Sequence, residues 1–111
     1  MKITKNMYLN VNKNGEFTVE ARELFAYADN HSRIYENYIM PAIKNLNKKM
    51  KNGTYDTEKA IKLFYYVAID AAKMYKTEFG YWFSVYDRWN CAIQLRNDYE
   101  ENYKYLKEEE Q

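Results

Sequence analysis

Residues with the chemistry to act as nucleophile, base or ligand are scarce in this chain. It holds one histidine, His31, and one cysteine, Cys91. Together they would make a thiol and its base only if two separate helices brought them into contact, and a single cysteine is often just a small buried hydrophobe. Cys91 therefore reads as core packing or as a partly exposed thiol. Metal binding needs several ligands at matched spacing, and neither HxxxH nor CxxC occurs, so no metal is expected. GxGxxG and GxxxxGK are also missing, which removes the sequence grounds for a nucleotide or any other cofactor. The chain reads as a non-enzyme.

Charges on apolar helix faces are the next candidates. On a helical wheel Glu78 falls on the apolar side of one predicted helix, and Arg96 near the centre of the apolar stripe of the next. A lone buried charge is expensive, so Glu78 is expected to pair inward with Arg96 or with Arg88 and fix how the two helices dock. The same groups could instead line a pocket as carboxylate and guanidinium. Lys44, Lys48 and Lys51 share one outward face, and Lys59, Lys62 and Lys73 another. Residues 31–80 carry nine basic and five acidic side chains, whereas residues 84–111 carry four against seven. Such lysine faces are either ordinary solvated surface or a surface for phosphates or acidic groups.

The third candidate is FGYWFSVYDRWN, residues 79–90, with six aromatic rings around one glycine. Phe79 and Trp89, joined by Val85, lie on apolar stripes and should be core. Tyr81, Trp82, Phe83 and Tyr86 sit on or beside a turn, where a small fold cannot hide every ring. At least one should reach solvent and serve as the first contact with a partner.

The elements that must hold these residues follow from pattern and punctuation. The expected class is mainly α with a little β: a compact bundle of four or five helices and a short N-terminal hairpin. MYLNVN alternates apolar and polar residues, Asn14-Gly15 suits a tight turn and EFTV can return, giving a hairpin over residues 7–19. Thr18 can cap a helix over 19–28. Ser32 can cap a second, over 33–51, which Pro41 should kink or split and Gly53 should end. Asp56 and Gly80 bracket the strongest helix, 57–79, whose apolar face is continuous. Ser84, with Asp87 three residues on, opens the last, 85–106, whose stripe includes Ala92, Ile93, Tyr99 and Tyr103.

Composition sets the outer bounds. A length of 111 residues fits one domain that buries roughly two-thirds of its unfolded surface. Apolar residues at 47%, charged residues at 30% and a single proline argue for an ordered globule rather than a tail. A net charge of +1 is too balanced for generic DNA binding. No apolar run approaches the roughly 18 residues that span a bilayer, so a soluble, cytoplasmic protein without membrane contact is expected. Thirteen tyrosines, with few arginines among the basic residues, fit an AT-rich bacterial or phage genome.

Residues 38–80 resemble a segment that recurs in small phage proteins, through Pro41, Ile43-Lys44-Asn45-Leu46, Lys48-Lys49, Gly53, Tyr55-Asp56, Glu58, Ala71-Ala72-Lys73, Tyr75 and Glu78-Phe79-Gly80. Such accessory proteins include inhibitors of bacterial immunity, anti-CRISPR proteins among them. The resemblance implies a shared helical hairpin and a non-enzymatic inhibitor that docks stoichiometrically on a host defence protein, a Cas9-type effector first of all. Residues 18–39 are similar to the start of phage antirepressor domains, through Ala21-Arg22-Glu23-Leu24 and Tyr35. That similarity implies the alternative, a regulator that binds nucleic acid directly. Pairing of an aromatic-rich helix with a second copy of the chain is a further expectation.

Overall fold

The computed structural model describes residues 17–110, with side chains up to Asn102. The first helix, α1 (Val19–Asn30), starts where Thr18 Oγ1 accepts the Ala21 amide at 3.0 Å. The same hydroxyl donates to Asp87 Oδ1 at 3.1 Å, tying this cap to the start of the last helix. His31 then accepts the Ile34 amide on Nδ1 at 3.4 Å and opens α2 (Ser32–Ile34). Ser32, expected as the cap, is instead the first helical residue.

The helix does not break at Pro41. A π-helical turn, Tyr35–Ile39, follows α2 directly, and α3 (Met40–Lys51) follows the turn, with right-handed helical backbone at both junctions. Proline has no amide hydrogen to give to the carbonyl four residues back. The ladder slips by one residue just before it, and the Met40 amide reaches Tyr35 O. The expected split is thus not made, and the disturbance before Pro41 takes the form of a π turn within one continuous arm. Gly53, at φ 73°, closes α3 with its amide on Met50 O and the Thr54 amide on Lys49 O, the doubled bond pattern of a Schellman cap.

Asp56 Oδ1 accepts the Lys59 amide at 2.9 Å and opens α4 (Thr57–Phe79), which Gly80 ends at φ 74°. Ser84 Oγ accepts the Asp87 amide at 3.1 Å at the head of α5 (Val85–Glu110). The most extensive interface joins α4 to α5, and α1 lies across both. At its centre the Tyr65 and Trp89 rings stack 3.6 Å apart and 11° from parallel. Leu24, Ile34, Leu46, Ile61, Phe64 and Phe83 belong to the same buried core.

The mixed α and β class is corrected: the described residues are helical, with no strand among them. Residues 7–16 of the expected hairpin lie outside the described residues. In its return segment EFTV, Thr18 is the helix cap and Val19 the first residue of α1. A threonine followed by a valine suits either a strand or a helix start. Burial of Ala21, Leu24 and Ala28 decides for the helix, because only helical spacing puts all three on one face.

Candidate partner-binding surface

The aromatic segment divides differently from the sequence expectation. Phe83 is fully buried, whereas Phe79 is 58% exposed. The apolar stripe of α4 outruns the surface available to cover it: Phe79 meets Tyr75 at 4.6 Å and Tyr27 at 6.2 Å and is otherwise open. Past Gly80 the chain turns back and drops Phe83 against Tyr75, ring centres 4.8 Å apart. Tyr81 leans edge-on against Phe83 at 4.9 Å yet keeps half of its surface in solvent. Trp82 and Tyr86 are exposed as well, and Trp89 is buried in the stack with Tyr65. Exposed Phe79, Tyr81, Trp82 and Tyr86 therefore fall within one short stretch of chain around the helix stop at Gly80.

Two cations orient Trp82. The Arg88 guanidinium lies 4.6 Å from the ring centre and the Lys76 ammonium 5.6 Å. Arg88 is itself buried, with no hydrogen-bond partner for its Nε, and its guanidinium sits within cation–π range of the indole. Trp82 is held in place while much of it still faces water.

Beside Phe79, between α1 and α4, an open hollow of about 470 Å³ is walled by Ala26, Tyr27, His31, Tyr75 and Phe79. Two reciprocal hydrogen bonds brace it. Tyr27 of α1 donates to Glu78 of α4 at 2.8 Å, and Tyr75 of α4 donates to Glu23 of α1 at 2.7 Å. Burial and the Glu78 carboxylate push the Tyr27 hydroxyl up to about 12, and the bond to Glu23 raises that of Tyr75. Both tyrosines stay neutral donors at ordinary pH.

The expected inward ion pair is not formed. Glu78 is exposed and engaged by Tyr27, Arg88 is taken up by Trp82, and Arg96 reaches Glu100 in its own helix at 3.7 Å. Arg96 is largely covered, and Glu100 also accepts from Tyr55 at 2.7 Å. The physical reason is that Glu78 lies on the exposed last turn of α4, where the Tyr27 hydroxyl of α1 satisfies it, while each arginine has a neighbour of its own. The Glu78 and Arg96 pocket disappears with the pair.

Cys91 is fully buried, and burial pushes its thiol far up, the environment of a packing residue. His31 is a half-buried helix cap whose ring lies 5.3 Å from that of Tyr27. Lys44, Lys48, Lys51, Lys59, Lys62 and Lys73 are all exposed. Among the described residues no group of side chains is arranged to hold a metal ion, and no helix is long and apolar enough to cross a membrane. The side chain of Tyr103 lies outside those described.

The reciprocal tyrosine and glutamate bonds were invisible in the sequence, because their partners are 51 and 52 residues apart. Asn90, fully buried with its amide nitrogen on Tyr86 O at 2.8 Å, was also missed. Its place within an otherwise apolar run was the available signal. Comparison with protein-family models, with curated proteins and with solved structures finds no match to this chain.

Proposed function

We propose that this protein acts by stoichiometric binding to another protein, through the exposed aromatic corner formed by Phe79, Tyr81, Trp82 and Tyr86. The observation that carries this reading is the run of four exposed large rings around one helix stop, beside a hollow, on a chain that has core to spare for Phe83 and Trp89. Clustered aromatics of this kind supply most of the binding energy at interfaces, since each ring contributes large contact area with few rotamers to freeze. Trp82 is pre-positioned by Arg88 and Lys76, so less of its freedom remains to be lost on docking. The resemblance of residues 38–80 to small phage proteins makes a bacterial defence protein, and a Cas9-type effector first, the partner class to try.

The test is a pull-down of the tagged chain from a bacterial host, with mass spectrometry, beside a Tyr81→Ala/Trp82→Ala variant. The proposal expects a specific protein that the variant fails to retain. Recovery of nucleic acid alone, lost with added salt and with Lys44→Glu/Lys48→Glu but not with the aromatic changes, would favour the exposed lysine faces and a nucleic-acid-binding regulator instead.

A further inference from the structure

A second concave site shares no residue with the aromatic corner. It is a cleft of about 700 Å³ between the C-terminal end of α1, the π-helical turn, α3, α4 and the middle of α5. Its floor is apolar and already packed: Ile39, Phe64, Leu95 and Tyr99 are each buried to 4% exposure or less. Its polar groups are few, Asp29, Lys44, Asn47, Asp98 and Asn102. An apolar floor of this volume with a handful of placed polar groups is the usual make-up of a small-molecule site.

Two carboxylates, Asp29 and Asp98, line the cleft against one lysine, Lys44. Asp98 is half-buried and accepts from Asn102 Nδ2 at 3.2 Å. Its carboxyl is held above the usual range first by burial and then by two other carboxylates, Asp29 and Glu101. Asp29 and Asp98 both belong to the lining, and an anion would meet repulsion from them. The π-helical turn adds an independent sign. Tyr35 and Ile39, its first and last residues, both line the cleft. Single π turns within α-helices occur frequently at functional sites.

The geometry points to a binding site for a small amphipathic amine, its protonated nitrogen between Asp29 and Asp98 and its apolar body over Ile39, Phe64 and Leu95. A free small molecule suits the cleft better than a peptide, since walls from five segments make it less open than the hollow beside Phe79. The site is independent of the aromatic corner, and a protein captured on that corner leaves this inference untouched.

Dansylcadaverine, which joins an aromatic body to a primary amine, is the probe, with dansylglycine and neutral dansylamide as controls of the same fluorophore. Fluorescence anisotropy should show saturable binding of the amine alone. Amide shifts in a ¹⁵N spectrum should centre on Ile39, Asn47, Leu95 and Asn102. Asp98→Asn should weaken binding roughly tenfold, the loss of one charge-assisted contact. Ile43→Trp, which fills the cleft from its partly exposed wall, should abolish it. Should Asp98→Asn fail to fold, Asp29→Asn on the exposed end of α1 carries the same expectation. Equal binding of all three probes, no saturation of the amine up to millimolar concentration, or shifts centred on Phe79 and Tyr81 would each overturn the assignment.

Discussion

Phe83 and Trp82 are neighbours in sequence with opposite fates, and alanine at each position should separate them by a wide margin in stability. Phe83 is fully buried, with Tyr75 at 4.8 Å and Tyr81 at 4.9 Å around its ring. Truncating such a ring removes its transfer energy and leaves a cavity, a loss of about 3–5 kcal/mol. That is at least about a fifth of the roughly 5–15 kcal/mol that hold a domain folded. Trp82 is 43% exposed, and what it contributes inside the fold is its contact with Arg88 and Lys76. Trp82→Ala should therefore cost only about 1–2 kcal/mol. In urea unfolding followed by circular dichroism, with a slope of about 1–3 kcal/mol per molar, Phe83→Ala should lower the midpoint by about 2 M and Trp82→Ala by about 1 M or less. Equal shifts, or a larger one for Trp82→Ala, would refute the division of this segment into core and surface.

Further outcomes follow from particular groups. Gly80 sits at φ 74° with open space where a Cβ would project, so Gly80→Ala should cost about 1–2 kcal/mol of backbone strain without a packing defect, read from the same urea curves. The Tyr27 hydroxyl is raised from its ordinary 10.0 to about 12, so the folded chain keeps a proton that the unfolded chain has lost. Stability from this group should be complete below pH 10 and fall as pH rises towards 12, and Tyr27→Phe/Tyr75→Phe should flatten that alkaline slope in thermal melts. Cys91 should react with a thiol reagent such as DTNB only as fast as the protein unfolds, because its thiol is buried and its thiolate strongly disfavoured.

What was legible in the sequence is local. Thr18, Asp56 and Ser84 announce helix starts because a side-chain oxygen three residues before an amide is enough to cap it. Gly53 and Gly80 announce stops because the left-handed backbone excludes most other residues. The outward lysines follow from helical spacing alone. What failed depends on where a neighbouring helix ends. A wheel places Phe79 on the apolar stripe of α4 without showing that the core gives out before it, and it cannot show that the turn after Gly80 folds Phe83 inward. Glu78 was assigned to an arginine because the wheel carries no information about Tyr27 on α1. Pro41 signalled a disturbance, but a split and a π turn both accommodate the missing amide, and local sequence does not choose between them. Thr18-Val19 suited strand and helix alike, and the hairpin was the wrong choice for the residues described.

The two tryptophans allow the proposed partner surface to be watched directly, since Trp82 is exposed and Trp89 is buried against Tyr65. Labelling with 5-fluorotryptophan gives one ¹⁹F resonance for each, assigned by Trp82→Phe. Titration with the protein recovered from the host should move the Trp82 resonance and abolish its solvent isotope shift, while that of Trp89 stays in place. A partner that binds and leaves the Trp82 resonance and its isotope shift unchanged would contradict the aromatic corner as the docking surface.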